Sequence, residues 1–301
     1  MAEHPRRLLS GRARIYALYS VFGIGILAVA LWRPIPISPT YHNFADRRVI
    51  FGIPDGLNVL SNVLFLLVGV IGVLFVLRAR PDSSFRHRLE RLPYLVFFAG
   101  TALTGIGSAY YHLAPGNQRL IWDLLPMTAC YAALLSATIM ERVSERVGLG
   151  LLGPLIAAGA ACALYWRVGQ LHGHGDYRFY LFAQFFSAVA IGAIVLLFPP
   201  TYSGGRYLAL AFAFYIVAKL FETFDKRIYS DVRVASGHTL KHLAAGIACY
   251  FLLRMLAIRH SLVGENVQPG SAQCTIASEN YPDSADSLDG GGYVAPGRRM
   301  E

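Results

Sequence analysis

Long apolar runs alternate with short polar connections along most of the chain. Eight stretches, roughly 14–32, 57–78, 92–112, 120–140, 149–166, 178–198, 206–224 and 236–258, are apolar over close to the ~20 residues that a membrane-crossing helix requires. A membrane barrel would show strands of alternating polarity instead. These runs are continuous, so the pattern predicts helices, which satisfy their own backbone hydrogen bonds in lipid. The link APGNQR (114–119) is so short that the third and fourth helices must be antiparallel neighbours. From about residue 262 the pattern ends in a Gly/Ser/Asp-rich stretch, SENYPDSADSLDGGGY among it, which cannot bury a core and reads as a disordered tail. No repeat of fixed period is evident.

Composition agrees with the pattern. Of the 301 residues 55% are hydrophobic and only 15% charged, against about 25% charged in soluble domains. The fold class expected is therefore an all-α membrane protein. A net charge of +9 would suggest nucleic acid in a soluble chain. Here the basic residues gather in loops: Arg6, Arg7, Arg12 and Arg14 lead the chain, and Arg78, Arg80, Arg86, Arg88 and Arg91 fill the second loop. By the positive-inside rule both termini are expected inside. Residues 1–13 and 15–31 resemble a signal peptide, but no small-residue cleavage site follows, so the first run reads as a retained helix. Cys130, Cys162 and Cys249 lie in apolar runs and read as small hydrophobes, Cys274 lies in the tail, and no zinc-type cysteine spacing is present.

Two polar stretches at helix ends carry chemistry. In SGHTLKH (236–242), His238 and His242 are four apart and share a helix face. In GSAYYHLAPGNQRLIWD (107–123), Ser108 and His112 repeat that spacing, and the hairpin that follows returns Asp123 to the level of His112. Counting crossings places the end of the third helix and the starts of the fourth and eighth on one side, the outside (periplasmic or lumenal). Three imidazoles and an open position are a common catalytic zinc set, and a nearby carboxylate is a proton acceptor for water. Ionisable groups in such segments are costly and tend to be functional. Lys241, between the two histidines, points elsewhere on the helix and is read as snorkelling to the interface. HGHGD (172–176) reads as a flexible polar loop. Lys219, Glu222 and Asp225, spaced by three, read as pairing along one helix.

Taken together, Ser-x-x-x-His, an Asp eleven residues after that His, and a later His-x-x-x-His resemble the alkaline ceramidase family, one of the CREST group of seven-helix membrane hydrolases that also includes the adiponectin and progestin receptors. NVLSN (58–62) and YYHL (110–113) resemble its bacterial branch. The similarity covers roughly residues 41–260. It implies a leader and an extra N-terminal transmembrane helix in 1–40, a seven-helix hydrolase core in 41–260 and the polar tail in 261–301. It further implies hydrolysis of the amide bond of ceramide or a ceramide-like membrane lipid to a sphingoid base and a fatty acid. His112, His238 and His242 would hold Zn2+, Asp123 would move the proton, and Ser108 would hydrogen-bond beside them. Where animal and yeast members carry an acidic calcium-binding segment, this chain departs with YHNFADRRVIFGIPDGLN; Asp46, Asp55 and Asn58 offer oxygens in about that region, but Arg47 and Arg48 intrude, and three side chains are few for calcium, which takes about six to eight. The alternatives are a receptor-like or scaffold protein with a structural zinc, against which Asp123 speaks, and a transporter, against which the lack of paired Gly/Pro-broken helices speaks.

Overall fold

The computed structural model describes residues 10–79 and 84–262; the leading arginines Arg6 and Arg7, Arg80, and the tail from 263 lie outside the described residues. Each of the eight apolar stretches is helical. The elements are α1 (Gly11–Leu31), α2 (Gly56–Leu60), α3 (Val63–Arg78), α4 (Arg91–Leu113), α5 (Asn117–Arg142), α6 (Glu145–Leu171), α7 (Arg178–Leu197), α8 (Gly205–Thr223), α9 (Asp225–Val232) and α10 (Gly237–Ile258). Seven spans are long and apolar enough to cross a membrane, counting α2 and α3 as one, and an eighth is reached if α8 and α9 form one span. The protein is an all-α, multi-pass membrane bundle.

Two of the expected helices are interrupted, and both interruptions lie near the site. The second run breaks at Ser61 and Asn62, where the Asn62 amide bonds back to Val59 rather than continuing the α-helical ladder. The seventh run turns by 78° at Phe224, so that α9 leaves the direction of α8. Gly237 explains how α10 can start at that corner. A Cβ there would lie 2.3 Å from the Phe221 carbonyl oxygen and 2.7 Å from the Asp225 Cα, so only glycine lets the two backbones meet.

Close approach also sets the relation of α3, α4 and α5. A Cβ on Gly69 would come within 2.3 Å of the Ala102 amide, and one on Gly107 within 2.0 Å of the Trp122 carbonyl. In lipid, helix association depends on such packing more than on hydrophobicity. Helix α1 stands at the periphery. It buries Leu18 alone in the described bundle and leans on α7, with Phe22 edge-on to Phe186 at 5.1 Å.

The end of the bundle farther from the histidines is closed by a polar clamp. Arg259, just past α10, donates to Glu141 at 2.5 Å and to the Ser84 carbonyl at 2.8 Å, while Tyr94 donates to Glu141 at 2.7 Å. The guanidinium lies 4.1 Å from the Tyr202 ring centroid and 4.9 Å from those of Phe85 and Tyr94. Four chain segments are thereby tied to the end of α10. Phe97, Phe98, Ala133 and Leu256 belong to the largest apolar cluster of the described interior.

Candidate metal centre

The C-terminal end of α4 and the N-terminal end of α10 meet at one end of the bundle, and there His112, His238 and His242 converge. One ring nitrogen of each lies within 4.8 Å of the others, and all three residues are buried. The Nε2 atoms of His112 and His238 are 3.2 Å apart. Two imidazole nitrogens bound tetrahedrally at the usual zinc–nitrogen length would be separated by about 3.3 Å. His242 uses its Nδ1 on the Ser61 hydroxyl, 2.8 Å away. That leaves Nε2 for the site, the arrangement that metal-binding histidines favour. Nδ1 of His112 has no hydrogen-bond partner among the described residues. Three buried imidazoles with so few partners fit a divalent cation such as zinc.

Local sequence explains why the rings are held there. Ser236 caps α10 by accepting from the Thr239 amide at 3.1 Å. The carboxylate of Asp225 accepts from the His238 amide at 2.7 Å and, with its other oxygen, from the Ala45 amide at 3.0 Å. One side chain at the α8–α9 corner thus fixes both the first turn of α10 and the loop that crosses it. Phe44, next to that anchor, lies against His112 and His238, with ring centroids 4.7 and 4.3 Å away. The same loop is tied to the α4–α5 hairpin by His42, whose two ring nitrogens reach Tyr111 Oη at 2.7 Å and Asn117 Oδ1 at 2.8 Å.

On the other side of the histidines lies a cavity of about 400 Å³. Ser108, Asp123 and His242 line its polar end, and Phe97, Leu208 and Leu252 line part of its apolar depth. Gly107 brings α4 so close to α5 that a Cβ would sit 3.4 Å from the Asp123 amide, which places Ser108 and the Asp123 carboxylate on the same wall of the cavity. Asp123 is only 7% exposed. All five residues singled out in the sequence are therefore at one end of the bundle. The cavity wall is shared by α7 and α8, yet α8 packs chiefly on α10 and scarcely touches α7. A seam between consecutive helices borders the cavity.

Two sequence readings change, and the oxygens considered for calcium prove to be engaged elsewhere. Lys219 does ion-pair with Glu222, but Asp225 does not join them, because the chain turns at Phe224 and carries it to the α10 amides. Lys241 does not snorkel away: it reaches Glu222 at 2.9 Å and lines the cavity. Asp46, Asp55 and Asn58 do not assemble an oxygen cage. Both carboxylate oxygens of Asp46 accept from the Arg48 guanidinium, at 2.8 and 2.7 Å, and hydrogen bonding to Arg48 holds this carboxyl below the usual range. Asn58 Oδ1 accepts from the Thr239 hydroxyl at 2.7 Å. Asp55 is left buried with one oxygen unpartnered, and desolvation pushes its pKa up. In HGHGD, His172 and His174 bond back to the Val168 and Gly169 carbonyls, while Asp176 pairs with Arg178.

The fold and this centre define a class: a multi-pass helical membrane protein with a buried three-histidine site opening on an internal cavity. No protein-family model matches the chain, and no curated protein matches it.

Proposed function

We propose that this protein is a zinc-dependent membrane amidase that hydrolyses the amide bond of a lipid of the ceramide type, as its resemblance to the alkaline ceramidases implies. The observation that carries this reading is the sharing of one cavity by His242, Ser108 and Asp123, with the other two histidines directly behind. A structural metal site has no need of a free carboxylate beside it or of a cavity in front of it.

A zinc ion bound to the three imidazoles would bring the pKa of water to about 7 and polarise the scissile carbonyl. Asp123 takes the proton as the water oxygen bonds to the carbonyl carbon. The C–N bond then breaks, and Asp123 returns the proton to the departing amine nitrogen. Ser108, on the same cavity wall, would donate to Asp123 and hold the carboxylate in the orientation these transfers need. Phe44 covers the histidines opposite the cavity and keeps bulk water from that side. The apolar depth of the cavity suits an acyl chain, and the α7–α8 seam offers a lipid entry from the bilayer. By the positive-inside rule, arginines in the leader and the second loop would leave the site end at the outer face.

The test is Asp123→Asn in the purified, zinc-loaded protein, assayed for release of fatty acid from ceramide. Zinc content should match wild type and hydrolysis should fall by a factor of about 10² or more. Hydrolysis at the wild-type rate would remove Asp123 from the reaction, and no hydrolysis of any lipid amide by the wild type would remove the amidase reading.

A further inference from the structure

One wall of the cavity has a charge pattern that a neutral lipid does not call for. Glu222, near the end of α8, accepts from Lys241 with one carboxylate oxygen at 2.9 Å and from Lys219 with the other. All three side chains line the cavity and retain between a fifth and a third of their exposure. One lysine is enough to neutralise one carboxylate, so the second is surplus. Each ammonium has three N–H donors and, among the described residues, spends one on Glu222 and has no other side-chain hydrogen-bond acceptor. Keeping Lys241 inside rather than at the interface also gives up the hydration and side-chain freedom that snorkelling preserves.

Asp123, the other carboxylate among the described lining residues, balances the second lysine in number but makes no ion pair with either ammonium. Asp225 is occupied by two backbone amides. Counting Lys219, Lys241, Glu222 and Asp123, the cavity is neutral. With or without a cation on the histidines, the unspent N–H donors of the two lysines provide charge-assisted hydrogen bonds for an anionic guest.

Building on the amidase reading and narrowing its substrate within the lipid amides, we propose that Lys219 and Lys241, braced by Glu222, form a subsite for a carboxylate on the amine side of the lipid, so that an N-acyl amino acid is bound in preference to a neutral-headed amide such as ceramide. The acyl chain occupies the apolar depth, and the head-group acid lies against the two ammoniums. Here the lysines bind substrate and take no part in bond breaking.

The experiment compares equilibrium binding of N-lauroylglycine, N-lauroylethanolamine and laurate to the detergent-purified full chain after chelation. Stripping the metal prevents both turnover and binding of carboxylate to the metal. N-lauroylglycine should bind about tenfold more tightly than the ethanolamine amide, the effect expected of a charge-assisted hydrogen bond. Lys219→Met and Lys241→Met should each erase most of that ratio, and Glu222→Gln should raise it. Loss of folding would also bring the ratio toward one, so the rise in Glu222→Gln is the arm that separates a lost subsite from a lost fold. A ratio near one in wild type would overturn the proposal, as would equal changes for both amides in all three variants. Lysine-dependent binding of laurate alone would also overturn it, assigning the subsite to the released fatty acid. The two readings fail separately. A lysine-dependent preference with no hydrolysis after zinc is restored leaves this subsite standing without the amidase. Hydrolysis of both amides without a binding preference leaves the amidase without this subsite.

Discussion

Replacing Asp225 by Asn preserves the shape of the side chain but removes its charge and one of its two acceptors. The native carboxylate receives the His238 amide at 2.7 Å and the Ala45 amide at 3.0 Å. An Asn oxygen can satisfy one of these donors, and the other then faces an NH2 group. A hydrogen bond to a charged partner contributes about 1.5–3 kcal/mol, and an orphaned donor costs a comparable amount when buried. Asp225 is half-buried, so water recovers part of this, and a loss of about 2 kcal/mol is expected. The loss falls on the first turn of α10 and on the loop bearing Phe44, both of which are ordered when the three histidines are assembled. If all of it opposes assembly, the apparent zinc affinity falls by at most about thirtyfold, at 1.4 kcal/mol per factor of ten. Competition with a chromophoric chelator measures this, with Lys226→Gln, one residue away and exposed, as control. The variant should still bind one zinc, but five- to thirtyfold more weakly. Affinity within twofold of wild type would refute the idea that Asp225 organises the ligand set.

Two further outcomes follow from the polar contacts away from the histidines. Arg259→Met leaves Glu141 without its guanidinium in a largely buried position, and breaking such a pair costs about 3 kcal/mol; thermal unfolding in detergent should show a lower midpoint, with Glu141→Gln added to Arg259→Met recovering part of it, and an unchanged midpoint would contradict the clamp. Asp46 is held below its ordinary pKa by Arg48, so its ion pair contributes stability at pH values above the unfolded carboxyl's pKa of about 3.9 and loses it as pH falls toward the folded value. Asp46→Asn should therefore be less stable than wild type at pH 7, with a gap that narrows below about pH 4; a gap constant from pH 7 to pH 3 would show that the charge of Asp46 is not its source.

What could be read from the sequence was whatever depends on spacing within one helix or on a very short connection. The eight helices follow from hydropathy. The pairs Ser108/His112 and His238/His242 follow from the four-residue repeat, and Asp123 returns beside them because APGNQR allows no other path. Contacts set by the arrangement of helices around the bundle were not legible. Asp225 looked like a continuation of the Lys219–Glu222 series because spacing assumes a straight helix, and nothing local announces the 78° turn. Lys241 was assigned to the interface because its partner, Glu222, lies on another helix nineteen residues earlier. Phe44 carried no signal as an aromatic residue in a loop, although its place between His42 and Asp46 in YHNFAD marks a polar run just before a span. The oxygen groups at Asp46 and Asn58 were recognised by type, but Arg48 and Thr239 had already claimed them.

The convergence of three imidazoles on one cation is the foundation of the account, and metal analysis of the purified chain tests it most directly. Wild type loaded with zinc and passed through a desalting column should retain one zinc per chain, while His112→Ala, His238→Ala and His242→Ala should each retain well under half. Equal zinc in wild type and all three variants, or none in wild type, would contradict it.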